Sequence, residues 1–156
     1  MRRTMMALSL AVACGGGTDD DGGDGTGDGT DFATEVPDQP LQGTINDESW
    51  AFVSGIVVDE GGQPTALLAP AALGCTDAPD PFSGYVEFPM PDGVGSWTFF
   101  DDGNPQVSVQ FGSGTSLGPA EILAIDRYDD DTVEGGLVFE APGTELAGSF
   151  TLTNCL

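Results

Sequence analysis

Beyond residue 40 the apolar residues arrive in short runs of period two, cut by Gly, Pro and Asp at intervals of about 8 to 12 residues. A helix needs an apolar stripe recurring every three to four residues over several turns, and no stretch here carries one convincingly. "QVSVQF" sets Val107, Val109 and Phe111 against Ser108 and Gln110. "ELAGSFTLTNC" alternates Leu146, Gly148, Phe150 and Leu152 with Ala147, Ser149, Thr151 and Thr153. Successive side chains of an extended chain point to opposite faces, so each run has one apolar and one polar side. "LQGTIN", "SWAFVSGIVV", "TALLA", "GYVEFPM", "SWTFF", "AEILAIDRYD" and "TVEGGLVFEA" complete the set, with turns at "DEGGQP", "PDGVG", "DDGNP" and "DDD". The expectation is an all-β domain over 41–156, an antiparallel sandwich or small barrel of about 8–9 strands. The Pro-rich "APAALGCTDAPDPFSG" is expected to be a loop.

The N-terminus has a different texture. In "MRRTMMALSLAVAC" a basic pair, Arg2 and Arg3, precedes an uncharged run from Met5 to Ala13. That run is shorter than the roughly 20 residues of a membrane-spanning helix, and residues 1–13 read as a secretory signal peptide. Leu10, Ala11, Val12 and Ala13 ahead of Cys14 resemble the lipobox of bacterial lipoproteins, with Ala11 where the family usually has Leu. The resemblance covers residues 1–14 and the tether behind them. It implies that Cys14 is acylated through a thioether-linked diacylglycerol and holds the protein to a membrane, since two or more chains anchor stably where one is marginal. Gly15 replaces the Asp that commonly retains such proteins at the inner membrane, which implies the outer membrane, facing periplasm or surface. Cleavage as an ordinary signal peptide after "AVA" would instead leave Cys14 a free thiol.

From Cys14 to Pro40 the chain is mostly Gly, Asp and Thr, without helical or strand periodicity. Such a segment buries too little apolar surface to offset its ordering entropy, so 14–40 is expected to be a disordered acidic tether. A flexible coil of that length reaches roughly 28 Å. "DDDGGDGTGDGTD" has the look of a calcium loop but not its spacing. An EF-hand needs D-x-[DN]-x-[DN]-G. Counting from Asp19, position 5 is Gly23, and counting from Asp20, position 3 is Gly22.

Charge excludes one class of partner. Asp and Glu number 26 against three Lys and Arg, and Arg127 is the only basic side chain beyond residue 3. A field of that sign repels nucleic-acid phosphates, whereas cationic partners and divalent ions remain compatible with it.

Absences also limit the chemistry. The chain has neither His nor Lys, so His-based triads, Ser-Lys pairs and Schiff bases are unavailable. "GTSLG" matches G-x-S-x-G around Ser116, but with no base to activate the serine it reads as a Gly-rich turn. Glu121 and Asp126 lie within strand runs and are the carboxylates to consider as an acid–base pair of a hydrolase. Asp126 is expected either to face outward or to pair with Arg127. Asp101 and Asp102, and Asp129, Asp130 and Asp131, fall in turns, where Asp is first a turn former. Were the two turns to converge, their oxygens would suit Ca2+. Cys75 and Cys155 are the cysteines left after Cys14, and in an exported chain they are expected to form one disulfide. Zinc is the rival, but two thiols without His are too few ligands. Trp50, Trp97, Phe99, Phe100, Tyr85 and Tyr128 are expected mainly in the core, the alternative being a sugar-binding face.

"GTINDESWAFVSG" and the terminal "LAGSFTLTNC" resemble the first hairpin and last strand of uncharacterised secreted all-β bacterial domains, a likeness that carries no activity with it. The functional expectation is a non-enzymatic binding module at the cell envelope, with an envelope protein, a glycan or a small ligand as partner. A structural, adhesion or assembly lipoprotein is the alternative, with a carboxylate-based hydrolase behind both.

Overall fold

Asn46 and Asp47 both adopt positive φ, 53° and 62°, the left-handed pair that a type I′ hairpin turn requires. Their short polar side chains tolerate that conformation, and they join β1 (Gln42–Ile45) to β2 (Glu48–Ala51). Gly61 and Gly62 do the same between β3 (Ser54–Asp59) and β4 (Pro64–Ala69). Then follow β5 (Tyr85–Pro89), β6 (Gly95–Thr98), β7 (Gln106–Phe111), β8 (Gly114–Pro119), β9 (Ile122–Tyr128), β10 (Thr132–Ala141) and β11 (Thr144–Asn154). These belong to a computed structural model describing residues 33–156. The expected signal peptide, Cys14 and the tether up to residue 32 lie outside the described residues.

Nine strands form one sheet in the order β6-β9-β10-β11-β3-β4-β5-β7-β8, curled into a half-barrel. The β1–β2 hairpin attaches to β11, with Gln42 opposite Ala147 and Ile45 opposite Thr144. Pairing between strands is antiparallel except where Thr153 and Asn154 run parallel to Ile56 and Val57, and Pro40 adds an isolated parallel bridge to Ser149. The all-β expectation holds, and no helix occurs among the described residues.

Two local readings are corrected. "SWAFVSGIVV" is not one strand: Phe52 and Val53 interrupt it, their amides donating to the carbonyls of Leu41 and Ala69. "GTSLG" is not a turn but lies inside β8, where Ser116 stands opposite Val109. The turn sits earlier, at Gly112 and Ser113, and Gly112 supplies the positive φ.

Inside the curl lie Leu41, Trp50, Val57, Leu68, Phe88, Val109, Leu123, Leu137, Phe139, Phe150 and Leu152, among others. Side chains of this size each stabilise the fold by about 1.5–3 kcal/mol when fully withdrawn from water. The alternation expected of the last strand is realised: Leu146, Gly148, Phe150 and Leu152 are buried, while Glu145, Ser149, Thr151 and Thr153 are exposed. Past Ala69, the last residue of β4, the "APAALGCTDAPDPFSG" segment has no strand, as expected, and its Cys75 is joined to Cys155. That disulfide ties the loop to the end of β11, whose Cys155 amide also donates to the Val57 carbonyl at 2.9 Å.

Residues 33–40, expected as the end of the disordered tether, are ordered against the domain. They form an arm on it: the Leu41 amide donates to the Ser149 carbonyl and the Ser149 amide to the Gln39 carbonyl, both at 2.8 Å. Where the arm crosses β11, Gly148 has φ 135°, and a Cβ there would lie 2.6 Å from the Gln39 carbonyl oxygen. Only glycine permits that approach.

Candidate functional site

The β9–β10 pairing contains a bulge. Arg127 faces Glu134 and Ile125 faces Gly135, so Asp126 has no counterpart on β10. Extra residues of this kind re-aim a side chain out of the regular alternation. Asp126 is exposed and lines two neighbouring clefts on the outer face of the sheet. One, of about 390 Å3, runs beneath the arm, with Glu35, Val36 and Asp38 on one side and Ser96, Ala124 and Gly136 on the other. The second adds Phe52, Val53 and Glu134. Asp126, Gly135 and Ser149 belong to both, so the clefts form one acidic groove.

Arg127 offsets only the Glu134 end of it and leaves Asp126, Glu35 and Asp38 without an ion pair among the described residues. Its guanidinium is bound to Asp129, and its Nη1 lies 3.2 Å from Glu134 Oε1. The hydrogen bond to Asp129 is the largest cause holding the Arg127 pKa above its usual value. Asp129 is held below the usual carboxylate value first by the Thr132 and Asp131 amides and then by Arg127. Of the two expectations for Asp126, the outward position is the one found.

Glu121 and Asp126 do not converge. Glu121 borders a different cleft, with Gln42, Glu140 and Glu145, and its Oε2 accepts from the Ala33 amide at 3.1 Å. The acid–base pairing expected for a hydrolase is therefore not assembled by these two residues. Ser116 lies on an edge strand rather than at a strand-to-helix turn, the context a nucleophile elbow needs.

The two aspartate turns are also kept apart. Thr98 of β6 pairs with Ile122, so the Asp101–Asp102 turn lies at the start of β9. Asp129, Asp130 and Asp131 follow its end, roughly 20 Å away along the strand. Each turn uses a carboxylate internally. Asp101 Oδ2 accepts from the Thr98 amide at 2.6 Å, and Asp129 Oδ1 from the Thr132 amide at 2.8 Å. Among the described residues no three acidic, Cys or His groups come together as a metal cluster would require.

The aromatic residues divide. Trp50 is a core residue whose Nε1 donates to the Gly84 carbonyl at 3.2 Å. Trp97 and Tyr128 are half-buried against the core. Tyr85 is half-buried, and desolvation raises its phenol pKa, with Glu87 and Glu60 adding to the shift. Phe99 and Phe100 stand outside the core as an edge-to-face pair 5.3 Å apart, because they follow β6 in its turn rather than lying on its inner face. Phe88, Phe139 and Phe150 fill the interior instead.

A further cleft, of about 350 Å3, opens at the end of the half-barrel where the β7–β8 turn meets the β1–β2 and β10–β11 turns. Its walls are Ile45, Val109, Phe111 and Pro142 with Asn46, Ser113, Thr115, Ser116 and Thr144. No charged side chain lines it. Sequence reasoning missed Thr144, although it continues the inward period of Leu146, Gly148 and Phe150 by one step. It also missed the arm carboxylates Glu35 and Asp38. No protein-family model, curated protein or solved structure matches the chain.

Proposed function

We propose that the chain is an exported, lipid-anchored envelope protein whose β domain is a non-enzymatic binding module for cationic ligands. The anchor reading rests on the sequence: Arg2 and Arg3, the short apolar run, and the small residues before Cys14. The observation carrying the binding reading is the bulged Asp126, whose carboxylate serves both halves of a groove also edged by Glu35 and Asp38. Among the described residues none of these three forms an ion pair, and the nearby Arg127 is occupied. A groove of one sign beside low-dielectric protein concentrates ligands of the other sign, here an extended Lys- or Arg-bearing peptide or a polyamine.

Calorimetry of the full-length chain with a tri-lysine peptide tests this. Binding is expected to weaken as salt rises and to fall about threefold in Asp126→Asn, while Asp92→Asn in an exposed turn leaves it unchanged. Equal loss in both variants would reduce the interaction to net charge and remove the groove from it. For the anchor, Cys14→Ser is expected to move the protein from the membrane to the soluble fraction, and continued membrane association would refute acylation there.

An assembly or adhesion partner is the second reading, supported by Phe82, which is 78% exposed in the disulfide-tied loop. Loss of a crosslinked envelope complex in Phe82→Ser, with groove binding intact, would favour it.

A further inference from the structure

Five clefts on the domain differ in one respect. Those at the arm, beside Asp77 and Asp80, and beside Glu121, Glu140 and Glu145 are each bordered by two or more carboxylates. The cleft at the end of the half-barrel has none, in a chain with 26 acidic residues. Its polar groups are hydroxyls and one amide: Ser113, Thr115, Ser116, Thr144 and Asn46. Thr115 Oγ1 already donates to Gln110 Oε1 at 2.7 Å.

Thr144 is the informative member. It is 2% exposed and begins β11 on the inward face, opposite Ile45 and Ala141. Among the described residues its hydroxyl makes no side-chain hydrogen bond, yet it is not sealed from water as Asn104 Oδ1 is, so the small exposed part of Thr144 opens its hydroxyl to the cleft. The fold therefore holds a polar group at the apolar mouth, beside Ile45, Val109 and the Phe111 ring. A volume of about 350 Å3 falls near the lower end of small-molecule sites, which span about 300–1,000 Å3 and combine apolar walls with few polar groups.

We infer that this cleft is a binding site for a neutral, polyhydroxylated ligand of about one sugar ring, with the recessed Thr144 hydroxyl as its innermost hydrogen-bonding group. A pyranose has an apolar C–H face to lie against Phe111 and Val109 and hydroxyls for Thr144, Ser116 and Asn46. An anionic sugar is disfavoured by the field of the whole chain, and a cationic one finds no carboxylate here to hold it. The site is separate from the acidic groove and stands or falls independently of it.

The test is protein-observed amide NMR on the labelled full-length chain, titrated with glucose and N-acetylglucosamine, and with glucuronate and glucosamine as charged controls. Each is taken to about 10 mM, ten times above a Kd of 1 mM. The neutral sugars are expected to bind and to shift the amides of Thr144, Phe111 and Ser116. Thr144→Val keeps the side-chain shape and removes the hydroxyl, and it should weaken binding about five- to tenfold with an unchanged melting temperature. Ser116→Trp, which fills the cleft from the exposed edge strand, should abolish it. The inference is overturned if no neutral sugar binds, or if binding survives both variants. It is equally overturned if the shifts map to the arm groove, or if octyl glucoside binds where glucose does not.

Discussion

Val36 occupies the space that a side chain at position 136 would need: a Cβ built on Gly136 would lie 2.5 Å from Val36 Cγ1. This fit of an apolar group over a glycine seats the arm on the sheet and forms one wall of the acidic groove.

Gly136→Ala is accordingly expected to displace the arm, at a cost of about 1–3 kcal/mol for an overpacked contact. Hydrogen exchange should quicken at the Leu41 and Ser149 amides, whose bonds fasten the arm to β11. Because residues in contact couple, Val36→Ala in the same chain should recover most of the loss. Unchanged exchange in the single variant would contradict the seating role.

Asp129 supplies a pH dependence with a definite sign. Its folded pKa lies below the ordinary 3.8, so its contribution is complete above that value and fades as pH falls through the lower, folded one. Backbone amides are the larger cause, so Arg127→Ala should raise the Asp129 pKa only part of the way back. Carboxyl-carbon NMR titration of both proteins would measure this, and full recovery of the ordinary value would refute the ordering.

Opening the Cys75–Cys155 bond removes a constraint closing a loop of 80 residues. The chain-entropy model assigns it about 4.5 kcal/mol, so Cys75→Ser with Cys155→Ser should lower stability by about 2–4.5 kcal/mol in denaturant unfolding. Exchange should rise first at the Cys155 amide, which the bond holds beside Val57.

Trp50→Phe keeps most of the buried ring but leaves the Gly84 carbonyl without its indole donor. A loss of about 1–3 kcal/mol is expected, read as a lower midpoint with unchanged denaturant slope. Gly84→Ala should also destabilise, because φ is 76° there and a Cβ would press within 3.2 Å of the Phe111 ring.

Strand identity and facing were legible wherever the period of two was unbroken. Val107, Val109 and the Leu146–Leu152 series went to the core as the pattern required, whereas Ser108, expected on the polar face, is buried as well and Phe111 is only half-buried. "GTSLG" misled because its glycines and serine signal a turn in isolation, whereas pairing with β7 draws the segment into an edge strand. The arm was unreadable for a similar reason: "ATEVPDQP" has no periodicity, and its Val36 gains meaning only over Gly136.

What the sequence determined by itself is local: extended runs, their apolar faces, the glycine-rich turns, and a strongly negative net charge. Covalent geometry sets these, since side-chain alternation and positive-φ turns depend on neighbours a few residues away. The tertiary structure alone decided which strands adjoin and hence which side chains meet. Gln42 lies opposite Ala147, and Thr153 beside Ile56. Such pairings, about a hundred residues apart in the chain, are selected by burial of the whole sheet. That selection separated the two aspartate turns, kept Glu121 and Asp126 from a common cleft, and brought Thr144 to the uncharged mouth beside Phe111.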